Sequence, residues 1–260
     1  MKAKHFLMAG MLSLSVLMTT SCIHEARTLS PWESGPQVSE KRLMNDFERI
    51  EISGSPTVYY SQADSFSVIV KGGKEVLDEI ITSKTGNTLV IRNRGKVGIF
   101  NVSGRNTSDL AVFVTSPDLI GVHLNGSGDF ISDSRIDSDK FDVTLRGSGD
   151  ITIQDLICDN CQAELVGSGD LAIKRLEAKD VSALLVGSGD FSMNLWQVNH
   201  TDIAARGSGD MNVDFREGCR SVDCSLTGSG DIRLSGKINH FSSKIHGSGD
   251  IDTAKLSIEK

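Results

Sequence analysis

Ala163-Glu-Leu-Val-Gly167-Ser-Gly-Asp170-Leu-Ala-Ile173 returns twenty residues later as Ala183-Leu-Leu-Val-Gly187-Ser-Gly-Asp190-Phe-Ser-Met193. The central tetrapeptide Gly-Ser-Gly-Asp occurs seven times, starting at Gly126, Gly147, Gly167, Gly187, Gly207, Gly228 and Gly247. The spacings are 21, 20, 20, 20, 21 and 19 residues. A period near twenty marks a solenoid, in which each short unit buries its apolar face only by stacking on its neighbours.

Around the tetrapeptide, alternation shows which side chains point inward. Two positions before it stand Leu124, Leu145, Leu165, Leu185, Ala205, Leu226 and Ile245, and immediately after it Phe130, Ile151, Leu171, Phe191, Met211, Ile232 and Ile251. The residues between these slots are mostly polar, which gives period-two strands on both sides of the tetrapeptide. A third slot, about six residues past the Asp, holds Ile136, Leu156, Leu176, Trp196, Phe215, Ile238 and Leu256. Three inward faces per lap predict a triangular coil. The fold class is therefore all-β, a right-handed parallel β-helix or solenoid with about 20 residues per coil. At about 4.8 Å per coil the seven corners span roughly 29 Å. Ser132 and Thr253 put polar residues in core slots of the first and last regular coils, where a cap is expected.

The tetrapeptide reads as the corner between strands. Glycine turns the chain sharply without a Cβ penalty, and the Ser and Asp side chains can bond backbone groups that a corner leaves unpaired. A second reading of the same residues is a calcium column on Asp150, Asp170, Asp190, Asp210 and Asp231, because a hard cation relieves repulsion between stacked carboxylates. The column looks like the calcium-binding nonapeptide roll, but its period is twenty instead of nine. No other cofactor is implied.

The amino terminus reads as a targeting segment over residues 1–21: basic Lys2 and Lys4, a thirteen-residue apolar run Phe6–Met18, then Thr19-Thr20-Ser21. The apolar run is too short to span a bilayer. With Cys22 next, the start resembles a bacterial lipoprotein signal peptide, although Thr19 replaces the usual aliphatic residue. That resemblance implies cleavage before Cys22, acylation of that residue, and anchorage to the bacterial outer membrane with the protein facing the periplasm or the cell surface; ordinary secretion is the alternative. Removing Lys2 and Lys4 takes the net charge from −7 to −9, which argues against nucleic acid as a partner. Residues 22–40, with Pro31, Pro36 and several serines, read as a tether.

The head domain is expected over residues 41–260, with irregular coils or a β-rich cap at 41–120 and regular coils at 121–258. Phe47, Ile50, Ile52, Gly54-Ser55-Pro56, Val58 and Tyr60 repeat the coil pattern with a degenerate corner, an eighth and atypical coil. Residues 59–71 are expected to form a hairpin, 74–81 a short helix, 88–92 a strand and 95–109 a polar loop. Strands follow at 110–115 and 119–124.

Cys158-x-x-Cys161 and Cys219-x4-Cys224 have metal- or redox-like spacing. In this register Cys161 and Cys224 lie about three coils apart, roughly 14 Å, too far for one shared metal. Local disulfides at Cys158, Cys161, Cys219 and Cys224, or small buried hydrophobes, remain open readings. His123, His200, His240 and His246 fall on different coils and read as surface residues.

The lipoprotein start, the entry Phe47-Glu-Arg-Ile-Glu-Ile-Ser-Gly54 and the recurring Gly-Ser-Gly-Asp together resemble the head domain of autotransporter-type adhesins, the GIN domain, a domain of unknown function. The likeness covers about residues 41–255. It implies a β-solenoid lipoprotein of the Gram-negative envelope and supplies no binding residues. The expected function is non-enzymatic: a rigid face that binds a protein or glycan ligand, with Arg146, Val166, Val186 and Arg206 as outward candidates. An envelope-sensing or lipid-binding role is the alternative. A polysaccharide-active β-helix enzyme fits less well, since two Trp and two Tyr leave few sugar-stacking platforms. Oligomeric state is not legible.

Overall fold

Alternating apolar residues separated by glycine corners dictate stacked strands, and the computed structural model shows them. It describes residues 38–74, 76–95 and 110–259. The leader, Cys22, the tether through residue 37 and most of the polar loop at 95–109 lie outside the described residues. The seventeen strands among the described residues belong to one hydrogen-bonded sheet that winds around a shaft.

The regular part comprises β8 (Gly121–Gly126), β9 (Asp129–Asp137), β10 (Lys140–Gly147), β11 (Asp150–Gly167), β12 (Asp170–Gly187), β13 (Asp190–Trp196), β14 (Val198–Gly207), β15 (Met211–Gly228), β16 (Ile232–Gly247) and β17 (Ile251–Ile258). Every pairing among them is parallel, one coil apart. Leu124, Leu145, Leu165, Leu185, Ala205 and Leu226 align in one buried column, and Phe130, Ile151, Leu171, Phe191, Met211 and Ile232 in a second. Column and lap length agree with the sequence reading.

The third slot differs in two coils. Leu195, not Trp196, pairs with Leu176 and fills the shaft; Trp196 faces out beside Glu177, with the Arg175 guanidinium 5.4 Å from its ring centre. The coil is one residue short between Met193 and Leu195, and Gln197, at φ 55°, restores the register. Farther along, Gly236 (φ 102°) pairs with Phe215, which moves Ile238 into line with Cys219. These slips come from bulges of one or two residues, which a fixed count from the Asp misses.

Seven more strands precede the regular coils: β1 (Val38–Arg42), β2 (Arg49–Gly54), β3 (Thr57–Gln62), β4 (Ser67–Gly72), β5 (Ile80–Thr85), β6 (Thr88–Asn93) and β7 (Ala111–Ser116). β2 and β3 pair in parallel with β8 and β9, so the degenerate Gly54-Ser55-Pro56 corner does build the extra coil. β6 and β7 stack on the far side of β2 and β3 and form one layer beyond it. The expected hairpin over 59–71 is absent: β4 pairs antiparallel with β1 and β7 instead of with β3. The expected helix is a single 3-10 turn, Leu77–Glu79, running straight into β5, whose β-branched Ile80, Ile81 and Thr82 favour an extended chain. Antiparallel β1 and β5 close this end, and short β1 exposes the charged Lys41, which discourages edge pairing.

Ser132 is not at a cap. It lies between Tyr60 and Ile153, fully buried, and its hydroxyl donates to the Ser134 carbonyl at 3.1 Å. Arg49 crosses Gly121, where no side chain intervenes, and its guanidinium reaches Asp142 at 2.9 Å. The opposite end is open: β17 covers only Ile232–Ile238 of β16, and Ile245 and Ile258 are 46% and 55% exposed.

Candidate functional site

The corners show what the recurring tetrapeptide is for. The Gly147 carbonyl accepts from the Ser168 and Gly169 amides one coil on, at 2.9 and 3.2 Å, and Gly167 accepts likewise from Ser188 and Gly189. This stacking brings backbones so close that a Cβ on Gly169 would overlap the Gly149 carbonyl oxygen. Gly167 is constrained twice, by the same approach to Gly147 and by a φ of 141°.

The aspartates continue the ladder. The Asp150, Asp170, Asp210 and Asp231 carboxylates each accept from the backbone N–H of the Asp one coil on, at 3.1–3.3 Å. Arg233 then bridges Asp210 and Asp231 at 2.9 and 3.0 Å. Hydrogen bonding from Arg233 holds the Asp210 carboxyl below the usual range, helped by the Asp231 amide and opposed by burial. Burial pushes Asp150 upward, and the neighbouring Asp170 and Asp129 charges add to that, against the Asp170 amide bond. The described aspartates of this column do not converge three at a time on one point. One oxygen each of Asp150, Asp170, Asp210 and Asp231 serves the backbone.

The four cysteines of the described residues are free thiols, all buried. Cys158 follows the Leu156 slot, level with Ala178, whereas Cys161 sits between Phe141 and Val181. A hydrogen bond with Cys158, together with burial, keeps the Cys161 thiol well above its ordinary value. Burial likewise raises Cys219, and it pushes Cys224 up to about 12. Thiols held this way are poor nucleophiles and poor metal ligands. They pack as small hydrophobes.

The strands that lead into the corners present a regular outer face. Across five coils one outward row reads Glu164, Leu184, Ala204, Ser225, Lys244. The two small side chains in its middle leave a groove of about 410 Å³. One wall is the row carrying Ser182, Asp202, Asp223 and Ser242; Arg206 stands on the other side and Lys244 at the end. The predicted contacts Arg146, Val166, Val186 and Arg206 do form one row, but Val166 and Val186 are half-buried and Arg146 is tied to Glu164 at 3.0 Å. Of the four, Arg206 reaches the groove.

Beside the acidic wall lies His200. Its Nε2 is 3.3 Å from Asp202 Oδ2 and 3.9 Å from Asp223 Oδ2, while Nδ1 is 2.8 Å from the Ser221 hydroxyl. The sequence reading placed His200 on the surface and did not join it to the two aspartates. The signal was present: Asp202 and Asp223 each stand five residues before their corner glycine and His200 seven before, so the period aligns them. The other described histidines, His123, His240 and His246, join no such cluster, and burial foremost pushes His123 below its ordinary pKa, with Arg49 adding to it.

Comparison with known proteins agrees with this architecture. The family model described as "Putative auto-transporter adhesin, head GIN domain" matches residues 46–218, more than half of the chain. A solved structure of a "putative adhesin" from Bacteroides fragilis superposes with a TM-score of 0.66 at 23% identity, covering 84% of this chain and 97% of the other. A "Putative lipid binding protein" from Parabacteroides distasonis gives 0.68 at 21% identity, covering 87% and 98%. Another "putative adhesin", from Parabacteroides merdae, gives 0.67 at 16% identity with the same coverage. At such identities the likeness is one of fold. No curated protein matches the chain significantly.

Proposed function

On the premise that this chain belongs to the "Putative auto-transporter adhesin, head GIN domain" family, we propose that it is a non-enzymatic binding scaffold of the cell envelope. It is tethered through acylated Cys22 to the bacterial outer membrane and offers the face of the solenoid to an extended polar ligand, a glycan or a protein segment. The observation that carries this reading is the groove. It is built on strands locked in register by the corner ladder, with carboxylates on one wall, Arg206 opposite and Lys244 at the end. A rigid surface of this kind loses little conformational freedom when it engages a repeating ligand.

A lipid-handling role, which the name of the Parabacteroides distasonis relative suggests, needs an apolar cavity. The shaft is filled instead by side chains such as Leu165, Leu185, Met211 and Leu226, each at most 1% exposed. Catalysis on a polysaccharide needs a distinct pair of carboxylates beside an aromatic-lined cleft, and the groove has no aromatic lining.

The test is a binding screen of the mature protein against arrayed glycans and envelope or matrix proteins, repeated with Ala204→Arg and Ser225→Trp, which fill the groove. Retention of a ligand that both variants lose, and that a Thr152→Arg control keeps, supports the proposal. Retention unaffected by either change refutes the groove as the site. For the anchor, Cys22→Ser is expected to move the protein from the membrane fraction to the soluble fraction.

A further inference from the structure

We propose that His200, Asp202 and Asp223 form a divalent-metal site of the zinc class on the rim of the groove. It stands on the donor geometry alone and does not depend on what the groove binds. The imidazole Nε2 and one oxygen of each carboxylate all lie within 4.8 Å of one another, the only such His/Cys/Asp/Glu trio among the described residues. Zinc bonds to nitrogen and oxygen are about 2.0–2.2 Å, so the corners of a tetrahedral site are separated by roughly 3.3–3.6 Å. The observed Nε2–oxygen separations of 3.3 and 3.9 Å bracket that edge. At 3.9 Å the Asp223 oxygen stands well beyond the usual N–H···O length of about 2.9 Å, so a hydrogen bond to Nε2 does not hold that carboxylate in place.

The imidazole is oriented for the role. Ser221, one coil on, contacts Nδ1 at 2.8 Å; with Nδ1 donating to that hydroxyl, the Nε2 lone pair faces the carboxylates. A nitrogen with two oxygens suits zinc, or manganese and cobalt, better than calcium, which takes six to eight oxygens. Three protein donors leave a fourth position open, and the donors are exposed enough for an ion to enter from solvent. Asp202 and Asp223 line the groove, so that open position adjoins bound ligand.

The site also joins two coils. His200 and Asp202 come from β14 and Asp223 from β15, so a bound ion crosslinks adjacent laps and stabilises the fold even without a ligand. That gives a readout separate from adhesion. Tag-free mature protein, stripped with a chelator and dialysed, is titrated with zinc by calorimetry and melted with and without the metal. One equivalent is expected to bind. At a hundredfold excess over Kd the melting temperature should rise by roughly 5–10 °C.

His200→Ala and Asp223→Asn should abolish both effects, Ser221→Ala should weaken binding by about tenfold or more, and Asp210→Asn should leave it intact. None of the four side chains is buried in the shaft, and circular dichroism checks that the variants remain folded. Calcium at the same concentration should shift nothing. No zinc binding by wild type, or equal binding and stabilisation in His200→Ala, overturns the proposal. Groove binding of a ligand that persists in His200→Ala leaves the scaffold reading standing while the metal result decides this one.

Discussion

Replacing corner glycines with alanine separates two physical demands on the tetrapeptide, and the structure sets the order of the effects. Gly86 has a φ of 61° and open space around it, so Gly86→Ala costs only the left-handed backbone, about 1 kcal/mol. Gly169 lies outside that backbone region, but its Cβ would press on the coil below, 3.0 Å from the carbonyl carbons of Gly149 and Ser148 and closer still to the Gly149 oxygen. Relief requires the coils to part locally, which breaks the Ser168 and Gly169 amide bonds to the Gly147 carbonyl. Two bonds at about 1 kcal/mol each, plus the desolvated groups left behind, put Gly169→Ala near 3 kcal/mol. Gly167→Ala adds a φ of 141° to the same overlap and should reach about 5 kcal/mol. For a domain of this size each kcal/mol is about 2–4 °C in melting temperature. The expected losses are therefore roughly 3 °C, 6–12 °C and 10–20 °C, read by thermal denaturation of the three variants side by side. If Gly169→Ala melts no lower than Gly86→Ala, close stacking of the corners is not what demands glycine there.

Other perturbations follow from the same contacts. Asp150→Asn keeps an oxygen for the Asp170 amide while removing a charge that burial disfavours, so it should melt at or above wild type, whereas Asp150→Ala, without the acceptor, should melt lower. Asp210 is depressed in the folded state, so its contribution is present above the unfolded carboxylate pKa of about 3.9 and is lost as pH falls through the folded value. Arg233→Gln should therefore flatten the fall in melting temperature below about pH 4, which a pH series of melts reads directly. Thiol titration of the domain lacking Cys22 should find four reactive groups after denaturation without reductant and almost none before it. Leu165→Ala should cost about 2–5 kcal/mol, because Leu165 is fully buried between Leu145 and Leu185, while half-buried Val166→Ala should cost less than about 1 kcal/mol.

The coils were readable because one local constraint repeats. Each Gly-Ser-Gly-Asp corner needs glycine for the same close backbone approach, so the period and the inward columns at Leu165 and Leu171 could be counted along the chain, and the apolar spacing around Gly54 marked the extra coil. Where a lap gains or loses residues the count slips, as at Trp196 and Ile238. The first third resisted because its pairings are not local. Alternation marks β4 as a strand but does not say that it joins β1 and β7 across the sheet instead of folding back on β3.

The site was half legible. Arg206 pointed out as expected, but the groove depends on Ala204 and Ser225 being small beside Leu184 and Lys244. That comparison runs across coils, perpendicular to the chain. The His200 trio is likewise assembled by stacking and appears only when outward residues are aligned as carefully as inward ones.

The regular stacking of the corners is tested most directly by distances between spin labels on the exposed serines of the tetrapeptides. Ser127 and Ser248 lie six laps apart, and Ser148 and Ser248 five. At about 4.8 Å per lap the two separations should be roughly 29 and 24 Å, differing by about one strand spacing. Equal distances for the two pairs, or a shorter one for the pair farther apart in sequence, would contradict the account.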